Sequence, residues 1–367
     1  MAGQRRGVWL LCGVVLLTTT AWAQEGGTEL MSPLKVEIGE SFVISKSSGR
    51  HWFPTLGQIS PEELLAKIWC TEDAIDPERT SSAYRWTRDG GLTWSKAIEA
   101  HDMGHSWAKL ADGSYLSLSY CTLRTGDSTC SCGVGRSSGG LNYSWSRGSV
   151  DVAPLKLGDW GKGGAASIVF ARSVLLMPDG ALLATMYGRF EGDALDRSIA
   201  VHSTDGGTSW KYLATIGYDA AVGGEGLNEP CMVRLADGDL YCVMRNLSGK
   251  PMYSARSGDD GRTWSAPKIM PEQAMSVFAS LCVMSNGVLA CSSGRPGCRI
   301  MFSPDGKGEQ WTEGTTVFDG PSTCYTAIAE VAPGKLLYVY DVVPTGWDAP
   351  KPDVYQEIRG VYITVHR

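Results

Sequence analysis

The chain has 367 residues, 43% of them hydrophobic and 20% charged, with a formal net charge of -6. That length can bury a large core, and the acidic balance argues against nucleic acid as a partner. Cys130-Ser-Cys132 has no second pair and no His at ligand spacing, so neither a metal nor a cofactor is expected.

In chain order, Arg5 and Arg6 precede an apolar run from Val8 to Leu17. Ala21-Trp-Ala23 then supplies small residues at cleavage spacing, the pattern of a secretory signal peptide cut after Ala23. The run is too short to span a bilayer, and no later segment approaches ~20 apolar residues. Residues 1-23 are therefore read as a signal peptide, and residues 24-367 as one domain of a monomer that is secreted or periplasmic, without membrane insertion. The 11 cysteines less Cys12 leave an even number, some of them expected to pair in an oxidising compartment. Cys121, Cys130 and Cys132 share a Gly/Ser-rich segment that such a bridge would staple.

Two signals alternate along the remainder. Short apolar runs flank tight turns at Ser60-Pro-Glu62, Ala111-Asp-Gly113, Pro178-Asp-Gly180, Ala236-Asp-Gly238, Ser285-Asn-Gly287 and Ala332-Pro-Gly334. These are hairpin signals, and they recur at intervals of roughly fifty residues, which is the spacing of propeller blades. A second turn, Ser/Thr-x-Asp-x-Gly-x-Thr-Trp, appears at Thr87-Trp94, Ser203-Trp210 and Ser257-Trp264, with a looser copy from Ser303 to Trp311. Its Asp accepts bonds from the loop backbone, its Gly supplies a positive φ, and its Trp plugs the turn. The expected fold is all-β, a six-bladed propeller with these turns joining outer strands. Ser144-Gly148 reads as a worn copy of the turn, and Ser41-Ser45 as the strand that completes the last blade.

The hairpins also act as a ruler. Counting back from each turn to the mouth of its first strand gives Phe53, Gly104, Ala171, Glu229, Phe278 and Tyr325, and counting forward gives Tyr120, Tyr187, Arg245 and Arg295. His105 and Arg172 begin their strands one position later. One rim therefore gathers an ionisable Tyr, a Glu and several Arg, groups that a fold does not concentrate at its axis without use. Converging guanidinium forks suit a carboxylate. If that carboxylate sits on an anomeric carbon, a neutral Tyr nucleophile avoids the repulsion an Asp or Glu would meet, and a neighbouring Glu can take its proton.

Over nearly its whole mature length the chain resembles the sialidase (neuraminidase) superfamily of Asp-box proteins. Asn228-Glu229-Pro230 through Met244-Arg245-Asn246 resembles the segment holding the activating Glu and a carboxylate-binding Arg. Ser293-Gly-Arg295-Pro resembles that of another such Arg, and Pro321-Ser-Thr-Cys-Tyr325-Thr that of the nucleophile. The resemblance implies an exported, retaining exo-glycosidase releasing terminal sialic acid or a related acidic sugar from a glycan, with Tyr325 as nucleophile. Glu229 would be its base, and Arg245 and Arg295 the carboxylate clamp. The acid/base Asp would come from Cys70-Thr-Glu72-Asp73-Ala-Ile-Asp76-Pro77, with Asp76 the closer match by spacing and Asp73 second. Trp52 stands where the family opens blade 1 with the first Arg, so Arg50 or Arg172 is the expected replacement. The alternatives are a propeller that binds carbohydrate without catalysis, or a glycosidase for a different acidic glycan.

Overall fold

A computed structural model describes residues 34-367 apart from 74-80, 102-103 and 161-167. Nearly all regular structure is β. The first sheet consists of β3 (Trp52–Gln58), β4 (Leu64–Trp69), β5 (Ser81–Thr87) and β6 (Ile98–His101), preceded in sequence by β1 (Lys35–Ile38) and β2 (Phe42–Ser47). Next come β7 (Trp107–Lys109), β8 (Tyr115–Arg124), β9 (Thr129–Ser137) and β10 (Ser144–Asp151), then β11 (Ile168–Leu176), β12 (Leu182–Gly188), β13 (Arg197–Ser203) and β14 (Ser209–Gly217).

Two further four-stranded sheets follow in sequence order. One is β15 (Asn228–Arg234), β16 (Leu240–Arg245), β17 (Tyr253–Ser257) and β18 (Lys268–Ile269); the other is β19 (Leu281–Val283), β20 (Leu289–Gly294), β21 (Cys298–Ser303) and β22 (Thr315–Phe318). The last sheet holds β23 (Thr326–Ala332), β24 (Lys335–Val342) and β25 (Gln356–His366), with β1 and β2 both paired to β25. The N-terminal strand expected to complete this sheet does so, covering an edge that would otherwise present unpaired backbone.

The arrangement is propeller-like, and every expected hairpin turn joins the first two strands of its meander. It differs from separate blades in one place. Strands β7 to β14 form a single closed eight-stranded arrangement, because β10 runs parallel to β14 and β11 pairs with both β7 and β8. The Ser144-Gly148 segment is the beginning of strand β10 rather than a worn turn, and Trp145 lies against Gly135 across the β9–β10 pair.

The four expected Asp-box turns bond alike. In the first, Asp89 Oδ1 accepts from Thr87 Oγ1 at 2.7 Å and from the Thr93 amide at 2.9 Å. Trp94 Nε1 closes the turn on Gly91 O at 2.9 Å. Trp210, Trp264 and Trp311 make the same bond to Gly207, Gly261 and Gly308. Gly207 needs its positive φ of 94°, and a Cβ there would lie 2.8 Å from Leu116 Cδ2. Each sheet then packs a face on the next. At the seam, Ile44, Leu64, Ile68, Leu337, Val339 and Ile358 form one buried cluster joining the first and last sheets. Each such side chain contributes about 1.5–3 kcal/mol by leaving water.

Candidate active site

Glu229 is the second residue of β15, and Tyr325 immediately precedes β23. Tyr325 Oη donates to Glu229 Oε1 at 2.5 Å. Arg245, at the end of β16 opposite Asn228, places Nη1 3.5 Å from the same Glu229 oxygen. Its fork also grips Glu225, with Nη1 at 3.0 Å from Oε2 and Nη2 at 3.2 Å from Oε1. Arg295 follows β20, and its guanidinium stands 4.7 Å from the Tyr325 ring centroid and 5.4 Å from that of Trp347. Its Nε donates to Thr323 O at 2.9 Å and Nη1 to Ser248 Oγ at 3.2 Å. Arg295 Nη2 and Glu229 Oε2 are buried with no hydrogen-bond partner among the described residues, so both remain available to a ligand.

Backbone strain collects at these residues. Phe53, Glu229, Arg295 and Cys324 have φ of 50°, 44°, 59° and 61°, a region costly to side chains larger than glycine. Phe53 and Glu229 occupy matching bulges, where the β3–β4 and β15–β16 registers shift. A bulge re-aims a side chain, which turns Glu229 toward Tyr325. Buried Asp341 holds the opposite wall. It accepts from the Phe53 amide at 3.0 Å, the Thr323 amide at 2.8 Å and Ser322 Oγ at 2.7 Å, fixing both the blade-1 opening and the turn leading into Tyr325.

Burial pushes the Tyr325 phenol well above its ordinary pKa, and the charge of Glu229 adds to this, while Arg295 and Arg245 oppose it. The phenol is therefore protonated at rest, and Glu229 is the acceptor already in contact with its proton. Burial disfavours the Arg245 cation, but the charges of Glu229 and Glu225 outweigh that and hold it protonated. Asp73 is solvent-accessible yet crowded by protein, and burial followed by the Glu229 charge raises its carboxyl above the usual range. A raised carboxyl suits a proton donor. Asp76 lies outside the described residues.

The other rim residues have other engagements. Trp52 is 1% exposed, stacks on Phe53 at 4.6 Å and donates Nε1 to Thr71 O at 3.0 Å. Arg50 lies 4.4 Å over the Trp52 ring and gives its Nη1 to Asp348 O at 2.6 Å, so its fork serves a backbone carbonyl. Arg172 is packed 4.6 Å from Phe278 and donates to Thr326 O. His105 lies among Trp69, Tyr120 and Phe278; burial, then Lys67 and Arg172, hold it neutral. Beneath the site Tyr120 and Tyr187 share a 2.6 Å hydroxyl contact.

Sequence reasoning missed Glu225, whose only signal is the Gly-Gly-Glu-Gly run at 223-226, and Trp347, which covers Phe53 at 5.8 Å. Among the described residues no group of three or more His, Cys, Asp or Glu side chains could hold a metal ion, and no helix is long and apolar enough to cross a membrane. Cys130 and Cys132, expected as part of a staple, are buried free thiols within one hydrophobic core cluster.

The model of the BNR repeat-like domain matches residues 125–339. No curated protein sequence matches the chain. Among solved structures, a protein of unknown function from Dyadobacter fermentans is 18% identical, with a TM-score of 0.67 over 90% of this chain and 99% of its own. The α-L-arabinanase of Penicillium chrysogenum is 14% identical, with a TM-score of 0.64 over 90% and 98%. The NanB sialidase of Streptococcus pneumoniae is 13% identical, with a TM-score of 0.60 over 88% and 70%. At these identities the likeness is one of fold.

Proposed function

The chain belongs to the BNR repeat-like domain family, and on that premise we propose that it is an exported, retaining exo-glycoside hydrolase of sialidase type acting on a terminal acidic sugar. The observation that carries this reading is the 2.5 Å bond from Tyr325 Oη to Glu229 Oε1 beside Arg245 and Arg295. Counting the closed eight-stranded arrangement as two blades gives six, with Tyr325 and Glu229 on one rim.

In the proposed reaction Tyr325 Oη attacks the anomeric carbon while Glu229 takes the phenol proton. The leaving oxygen receives a proton from Asp73, or from Asp76. Water, deprotonated by the same Asp, then cleaves the tyrosyl-glycoside, and Glu229 returns its proton to the departing phenolate. Arg295, with a free buried Nη2, is the first partner for the substrate carboxylate, and Arg245 the second. Arg50 and Arg172, whose Nη1 atoms donate to backbone carbonyls, are left out of this clamp.

That same feature favours a second reading, a terminal sugar without a carboxylate, such as an α-L-arabinofuranoside. Trp52, buried against Phe53 and Trp347, leaves without charge the position where a clamp residue was expected. Release of a fluorescent aglycone from an α-sialoside and from an α-L-arabinofuranoside, by wild type and Tyr325→Phe, separates the two. Turnover of the sialoside alone supports sialic acid as the acidic sugar, turnover of the arabinofuranoside alone supports the second reading, and turnover of neither removes both of these substrates.

A further inference from the structure

Arg245 is the clamp residue nearest the base, yet its fork is already engaged. Glu225 meets it with two oxygens on two nitrogens, at 3.0 and 3.2 Å, the paired geometry by which a guanidinium recognises a carboxylate. Glu225 belongs to no strand, and its side chain is 41% exposed beside an Arg245 side chain that is 10% exposed. It therefore reaches a buried cation from the solvent side, the direction from which a substrate arrives.

The backbone carrying Glu225 is pinned by its neighbours, and its side chain bonds to Arg245 and Asn228. Asn246 Nδ2 donates to Gly223 O and Gly226 O at 3.1 Å each, and the Asp196 amide donates to Glu225 O at 3.0 Å. Gly224 and Gly226 have φ of 63° and 100°, and a Cβ on them would lie 2.7 Å from Asn246 Oδ1 and 2.4 Å from Asp196 N. The loop is thus held against its neighbours, and Glu225 can leave Arg245 by side-chain rotation into water. Its remaining bond is a shared one, from Asn228 Nδ2 at 3.2 Å, which also serves Asp196.

We infer that Glu225 is an internal stand-in for the substrate carboxylate, occupying the Arg245 fork until an acidic sugar displaces it and thereby setting the affinity for that sugar. The inference rests on the acidic-sugar reading above. It assigns Glu225 a positioning role opposite in sign to a supporting residue, because removing a competitor tightens binding whereas removing a support loosens it. Only ligands carrying a carboxylate compete for the fork, so affinity for a neutral sugar does not rise with it.

Calorimetric binding of N-acetylneuraminic acid and of L-arabinose to wild type, Glu225→Gln and Glu225→Ala tests this, with thermal melts to confirm that each variant is folded. The expected result is a Kd for the acidic sugar lower by about tenfold in Glu225→Ala and by less in Glu225→Gln, with no gain for arabinose. An unchanged or weaker affinity for the acidic sugar, an equal gain for both sugars, or no binding of the acidic sugar by any of the three proteins overturns the inference. Tighter acidic-sugar binding without turnover of any glycoside upholds it while removing the glycosidase reading.

Discussion

Tyr325 and Glu229 lie 96 residues apart in the chain and share a 2.5 Å hydrogen bond. Their elements reach the contact by different routes, Glu229 through a bulge in β15 and Tyr325 through a turn tied down by Asp341. The pair is the chemical centre of the account, and its surroundings yield measurable consequences.

In the proposed reaction Asp73 donates a proton, and its carboxyl is raised by burial and by Glu229. A donor acts in its protonated form, so activity falls as pH rises through that raised value. Asp73→Asn is expected to lower kcat by about 10²–10⁴ on substrates with poor leaving groups and to flatten the alkaline limb of the pH profile. Aryl glycosides, whose leaving groups need little protonation, should lose much less. An unchanged alkaline limb would move the role to Asp76.

Trp52 is buried between Phe53 and Trp347. Trp52→Arg would place a cation in an apolar cluster with Arg50 already against it, and it should cost about 3–5 kcal/mol without raising sialoside turnover. Urea denaturation and the aglycone assay together check this; a stable variant with improved sialoside turnover would show that the clamp accepts a third arginine at this position.

Asp205 accepts the Thr208 and Ser209 amides at 3.1 and 3.0 Å and Ser203 Oγ at 2.7 Å. Asp205→Ala strands those donors in a turn whose Trp210 is 1% exposed. The expected loss is about 1–2 kcal/mol, seen as a lower urea midpoint with an unchanged KM, because the turn lies away from the rim.

His51 is 4% exposed, and burial, followed by the charge of Arg85, lowers its pKa from 6.5 to about 4. The folded state thus binds its proton less readily than the unfolded chain. Stability is retained above pH ~6.5 and declines as pH falls toward 4, by up to about 3 kcal/mol from this group. His51→Leu should narrow the difference in unfolding free energy between pH 7 and pH 4.5; an identical pH slope in the variant would assign the acid sensitivity elsewhere.

The parts of the molecule legible in sequence are those whose bonds are short in range. An Asp box closes within eight or nine residues through its own Ser or Thr, Asp, Gly and Trp, so its spelling specifies its geometry. Hairpin turns do likewise, and because they fix where each strand begins, they also bring Glu229 and Tyr325 to one rim. Glu225 is opaque, since a Gly-rich loop spells flexibility while its contacts with Asn246 and Asp196 make it rigid. Arg50 is opaque for a related reason, its carbonyl partner Asp348 being 298 residues away. The joining of β7 to β14 into one arrangement depends on the parallel pairing of β10 with β14, which no local pattern announces.

The central claim is that Tyr325, activated by Glu229, forms the covalent intermediate. The direct measurement is peptide mass spectrometry after reaction with a fluorinated glycosyl fluoride, whose second step is slow enough to trap the adduct. The account predicts a glycosyl mass on Tyr325 in the wild type, and strongly reduced labelling in Glu229→Gln. Label on a carboxylate, or turnover with Tyr325 unlabelled, would contradict it.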